Sequence, residues 1–100
     1  MEKRQPHYSL TILQARIAEQ GIMVFTATAL FNAVAMGLSE KQVLLVLASL
    51  TRAMFYKSMT TYTDSSIWQD VYHAPTPGGK AAYIKLTLQQ GAVVIQFKEK

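Results

Sequence analysis

Apolar residues recur at two different spacings along this chain, and the change falls near residue 52. Before it they return every three or four positions, as on one face of a helix. After it they alternate, with Thr, Tyr and Val frequent, as in a strand. Leu10, Ile12, Leu13 and Ile17 predict a first helix that begins near Ser9, an N-cap residue, and stops at Gly21. A second helix is predicted from Ala27 to Met36, with Thr26 as its cap and Gly37 where a left-handed residue ends it. Ser39-Glu40-Lys41-Gln42 spells a capping box for a third helix that runs to about Leu50. Met23 to Phe25 reads as a short strand between the first two helices.

The second half predicts four strands, over residues 54–62, 67–73, 81–89 and 92–98. Thr63-Asp64-Ser65-Ser66 is turn chemistry, and Ala74-Pro75-Thr76-Pro77-Gly78-Gly79 is an irregular loop. Three helices followed by an antiparallel meander give an α+β fold, with the helices packed on one sheet face.

The last hairpin carries the most inference. A two-residue turn at Gln90-Gly91 pairs Gln89 with Ala92, and that register sets every other partner. Leu88, Leu86 and Ile84 then meet Val93, Ile95 and Phe97 on a wholly apolar face. On the opposite face Thr87 meets Val94, Lys85 meets Gln96 and Tyr83 meets Lys98. A slip of one residue would mix the two sets, so their clean separation supports the register. Such a polar face is either an ordinary solvated one or an RNA-binding one, in which lysines neutralise phosphate and a tyrosine stacks or donates a proton.

In the first strand pair Phe55, Lys57, Met59 and Thr61 are expected on one face. Ile67, Gln69, Val71 and His73 share a face of the next strand, with Trp68, Asp70 and Tyr72 opposite. Lys57 and Gln69 lie on the same side only if paired residue numbers sum to an even value. A three-residue loop, Asp64 to Ser66, satisfies this and a four-residue loop does not; the residues leave both open. His73 is either a general base or a strand-end histidine in solvent, with no carboxylate partner evident. Trp68 and Phe55 read as core or interface.

Composition narrows this only slightly. One hundred residues make one domain, and a net charge of +4 permits an anionic partner without choosing it. The absence of cysteine excludes disulfides and thiolate metal sites and fits a reducing cytoplasm. No apolar run follows Met1 to Pro6, so no signal peptide is expected. Gln20 to Ser39 is uncharged, but Gln20, Gly21, Thr26, Thr28, Asn32 and Gly37 interrupt it, which suits two short buried helices better than a membrane span. No metal-ligand spacing, glycine-rich phosphate loop or nucleophile elbow occurs, and no cofactor is expected.

Phe55-Tyr56-Lys57-Ser58-Met59-Thr60-Thr61 and Ile67-Trp68-Gln69-Asp70-Val71-Tyr72 closely resemble blocks of the MqsR (motility quorum-sensing regulator) toxin family. Met1-Glu2-Lys3-Arg4, Pro6-His7, Gly37-Leu38, the Tyr83-Ile84-Lys85-Leu86-Thr87 strand and the terminal Phe97-Lys98-Glu99-Lys100 extend the resemblance over the whole length. It implies a RelE/YoeB-like fold, three N-terminal helices on one face of a twisted, mainly antiparallel sheet. It also implies a cytoplasmic, ribosome-independent endoribonuclease that cuts mRNA, typically at GCU-containing sites, without metal. Its partner would be a separate antitoxin that binds zinc and DNA; no membrane is involved. The family's active-site positions match Lys57, Gln69, Tyr83 and Lys98, with Met59 lining the same area; His73, Lys85 and Gln96 are expected to contact substrate. An inactive relative that binds antitoxin or nucleic acid without cutting it is the competing expectation.

The chemistry follows from RNA itself, whose 2′-hydroxyl can attack the adjacent phosphate. Lys57 and Lys98 would stabilise the phosphorane, Tyr83 or Lys57 would relay a proton, and Gln69 would orient the phosphate or a base. Free Tyr and Lys titrate near about 10. Repulsion among Lys57, Lys85 and Lys98 is expected to lower their pKa values, and the same cations that of Tyr83. The sequence departs from the family at His73, where arginine is usual, which replaces a permanent charge with a mostly neutral ring. The apolar run Val43 to Ala48 is expected to be core.

Overall fold

Each predicted helix start is built as its sequence dictates. In the computed structural model, which describes residues 1–100, Ser9 accepts from the amide of Ile12 at the start of α1 (Leu10–Gln20). Thr26 accepts from that of Ala29 at α2 (Ala27–Ala35), and both arms of the Ser39–Gln42 capping box close α3 (Glu40–Ala48). Gly37, at φ +78°, takes the left-handed conformation that ends α2. Met23 to Phe25 is not a strand. Gly21–Val24 forms a 3-10 turn, and Phe25 makes a single parallel bridge to Ile95. Between two helices only Phe25 and Thr26 remain extended, which is too little chain for a strand.

The sheet has five antiparallel strands in sequence order: β1 (Glu2–Lys3), β2 (Phe55–Thr60), β3 (Trp68–Pro75), β4 (Ala81–Gln89) and β5 (Ala92–Glu99). β2 is shorter than expected at both ends, β3 starts one residue later than expected and runs further, and β5 runs one residue further. Arg52–Met54 is a 3-10 turn, which delays β2. Ala74 and Pro75, expected in the loop, extend β3. Pro75 is tolerated because it pairs with Ala81 of β4 beyond the end of β2, where no second neighbour needs its missing donor. β1 has no counterpart among the predicted strands.

The β4–β5 register is the predicted one throughout, from Gln89 with Ala92 to Tyr83 with Lys98. Gln90 and Gly91 both have positive φ, 52° and 80°, as a type I′ turn requires. In β2–β3, Lys57 pairs with Val71 and Met59 with Gln69, so the numbers do sum to an even value. The loop is longer than three residues, since the amide of Thr61 still bonds to the carbonyl of Ile67 and leaves Tyr62 to Ser66 outside the ladder. A bulge intervenes at Tyr56, because Phe55 pairs with Tyr72 while Lys57 pairs with Val71. It corrects one expectation: Phe55 lies on the helical side, ring to ring with Tyr72 at 5.6 Å, and Tyr56 joins the face of Lys57.

The helices cover one sheet face. Leu13, Ile17, Val43 and Leu47 pack there with Ile84, Leu86, Ile95 and Phe97, all nearly or fully buried. The run Val43 to Ala48 is thus core on one side, though Leu45 is exposed. No single helix is long and apolar enough to cross a membrane. The outward edge of β5 is also occupied. The amide of Thr26 donates to Ile95 O, Asn32 Nδ2 to Phe97 O, and the amide of Val93 to Gln20 Oε1.

Asp70 and Tyr72 bring polar groups into the buried layer. Asp70 is fully buried and accepts from the amides of His7 at 3.0 Å and Tyr8 at 2.8 Å and from Ser58 Oγ at 2.6 Å. It thereby ties the N-terminal segment across the sheet. Trp68 is capped there by the His7 ring at 5.3 Å and Lys3 Nζ at 4.3 Å. Tyr72 is fully buried and its hydroxyl has no partner; burial, and then nearby Asp70, pushes its pKa up to about 12. A buried hydroxyl without a partner costs stability, so Tyr72→Phe is expected to raise the unfolding free energy by about 1 kcal/mol. Urea unfolding checks this; a loss of stability would mean that the hydroxyl makes a bond in solution.

Candidate active site

The other sheet face carries no helix. Two cross-strand rows lie side by side on it: Lys57, Val71, Lys85 and Gln96 in one, His73, Tyr83 and Lys98 in the next. Alternation puts them there, and the even register adds Met59 and Gln69 beyond the first row. Val71 is fully buried although it faces outward, so neighbouring side chains of this face close over it.

The bulge builds an aromatic row that was not expected. Tyr56 stacks on His73 at 4.4 Å, and His73 lies 5.3 Å from the ring of Tyr83. Lys98 Nζ stands 5.2 Å from the Tyr83 ring centroid and Lys85 Nζ 6.0 Å, placing the phenol between two cations. His73 is therefore not a free strand-end side chain. Its Nε2 is buried without a partner, and burial, reinforced by Lys100, lowers its pKa. At neutral pH it is an uncharged ring that holds Tyr83 from one side.

Lys85 and Lys57 shift in opposite directions. Lys85 follows the expectation: burial first, then Lys98 and Lys57, lowers its pKa from the usual lysine value. Lys57 contradicts it. A short ion pair and hydrogen bond to Glu2 raises its pKa, outweighing its own desolvation, so Lys57 stays a fixed cation. The same contact lowers the pKa of Glu2. Glu2 reaches this face because β1 pairs Glu2 with Met59. Sequence reasoning missed it, since a two-residue strand carries no periodicity to detect.

Two cavities open on this face. One, of about 420 Å³, is lined by Tyr83, Lys85, Gln96 and Lys98 together with Thr28 and Asn32 of α2. The other, of about 390 Å³, holds Gln69 and shares Lys85 and Gln96 with the first. Lys57, Met59 and His73 line neither, although Lys57 is close enough to act electrostatically on Lys85. No three His, Asp or Glu side chains gather anywhere in the chain. The arrangement offers cations, one phenol and one amine of depressed basicity around a common opening.

The model of the family described as "Motility quorum-sensing regulator, toxin of MqsA" matches residues 5–99. The chain belongs to the MqsR toxin family. The mRNA interferase toxin MqsR of Escherichia coli (strain K12) is 40% identical over 100 residues, which is 100% of both chains. The α+β fold with its three helices and antiparallel sheet agrees with the resemblance. In this MqsR-family chain, His73 directly follows the IWQDVY block and its ring packs with those of Tyr56 and Tyr83.

Proposed function

We propose that this MqsR-family toxin is an endoribonuclease that cuts mRNA at GCU-type sites, independently of the ribosome and of metal, by 2′-hydroxyl attack on the adjacent phosphate. The observation that carries this reading is the gathering of Tyr83, Lys85, Gln96 and Lys98 around one cavity beside Lys57. Lys57 and Lys98 hold the non-bridging oxygens and balance the charge that builds on the phosphorane. Lys85 in its neutral form takes the 2′-hydroxyl proton as the 2′-oxygen attacks phosphorus. The bond to the 5′-oxygen breaks, and the Tyr83 hydroxyl gives the leaving oxygen its proton. The products are a 2′,3′-cyclic phosphate and a 5′-hydroxyl. Gln69 orients the strand beside the reacting bond. The toxin's partner is its antitoxin, which we propose binds zinc and DNA.

The test is purified protein with a GCU-bearing RNA in excess chelator, followed by identification of the ends. Cyclic phosphate ends are expected. RNA bound but left intact would instead make the chain a non-cutting binder.

Glu2 adds a quantitative expectation. Its carboxylate occupies Lys57, and a phosphate must displace it to use that cation. Glu2→Gln is expected to lower the KM for RNA by about two- to fivefold, the scale of an exposed ion pair, with kcat nearly unchanged. A raised KM would show that Glu2 positions Lys57 for substrate and does not compete with it.

A further inference from the structure

The two cavities on the open face are separated by one cross-strand pair, Lys85 and Gln96, which lines both. Their volumes, about 420 and about 390 Å³, fall within the range of roughly 300–1,000 Å³ typical of small-ligand sites. Beyond the shared pair their linings differ. The first is completed by Thr28 and Asn32 from α2. The second is completed by Thr61 and Thr63 of the β2–β3 loop, with Gln69, Thr87 and Gln89 from the strands. The second cavity has no charged lining residue except Lys85.

Hydroxyls and carboxamides both donate and accept, which suits the edge of an unstacked base better than a phosphate. Asn32 is already oriented for this. Its Nδ2 donates to Phe97 O at 3.0 Å, which fixes the amide plane and leaves the oxygen uncommitted. The reaction proposed above makes a second demand. In-line attack sets the 2′-oxygen, the phosphorus and the 5′-oxygen nearly collinear, a geometry that unstacks the two flanking bases. A phosphate seated over Lys85 sends its two nucleotides to opposite sides of the Lys85–Gln96 ridge.

Resting on that cleavage reading, we infer that the two cavities are separate base pockets for the nucleotides on either side of the cut. Thr28 and Asn32 read one base; Thr63 and Gln89 read the other. Cleavage specificity is therefore divided between the α2 side and the loop side of the sheet, with Lys85 and Gln96 as the divider.

The test is cleavage of an RNA pool randomised around the cut, with the cleaved ends sequenced. Asn32→Ala, or Thr28→Val if the first variant folds poorly, is expected to relax preference at one flanking position. The loss is about 10- to 100-fold in discrimination, the worth of one good hydrogen-bonded base contact. Gln89→Ala and Thr63→Val are expected to relax the opposite flanking position and leave the first unchanged. Variants that cut with wild-type preference at both positions overturn the pocket assignment alone, as does relaxation of the same position by both sets. A wild-type protein that cuts nothing overturns the cleavage reading and this inference with it.

Discussion

Lys85→Met is expected to slow single-turnover RNA cleavage by about 10²- to 10⁴-fold, the usual contribution of one positioned proton acceptor. Lys85 is the lysine of this face whose pKa is lowered, by burial first and then by Lys98 and Lys57. A base works best when its pKa approaches the working pH, so a lysine of lowered pKa is suited to accept the proton. The sign of the pH dependence follows. Lys85 must be neutral, so the wild-type rate climbs as pH rises through its pKa, below the ordinary lysine value, and then levels. Lys98→Met removes one repelling cation, raises the pKa of Lys85 and moves that limb to higher pH, besides weakening phosphate binding. Rate profiles of the wild type and both variants across the neutral and alkaline range check this. A Lys85→Met enzyme with the wild-type limb would hand the proton to another group, Tyr83 first.

The second large effect is on stability. Asp70→Ala is expected to cost about 3–5 kcal/mol, given about 1.5–3 kcal/mol for each hydrogen bond to a charged group and incomplete additivity. Three donors lose their acceptor together: the amides of His7 and Tyr8 and the hydroxyl of Ser58. Asp70→Asn keeps the volume and one acceptor oxygen, so it falls between Ala and wild type. Urea unfolding followed by Trp68 fluorescence reports both the global loss and any release of the N-terminal segment, because His7 packs on that indole. A cost below about 1 kcal/mol would mean that water replaces the carboxylate freely.

How much was legible depended on local chemistry. The β4–β5 hairpin could be read to the residue because Gln90-Gly91 is a turn signal and the flanking runs separate cleanly by face. That alone brought Tyr83 beside Lys98. The β2–β3 pair was legible only in composition. Its parity rests on the loop from Tyr62 to Ser66, whose length the turn residues do not declare. The bulge at Tyr56 leaves no mark, since neither Gly nor Pro accompanies it, yet it turns Phe55 inward and places Tyr56 on His73. The basicity of the lysines was half legible. Their mutual repulsion follows from the strand register, whereas the Glu2 contact that reverses it for Lys57 depends on pairing across most of the chain.

The blocked flank of β5 limits how copies of this chain can meet. Polymer growth by sheet extension needs a row of free main-chain donors and acceptors on an outer strand. On β5 the amide of Val93 and the carbonyls of Ile95 and Phe97 are already taken by Gln20, Thr26 and Asn32. On the opposite flank β1 pairs only Ser58 and Met59, so the start of β2 from Phe55 to Lys57 has no outer neighbour. Sheet extension past β5 is thus hindered, and a strand added by main-chain pairing would have to come in at the β1–β2 side.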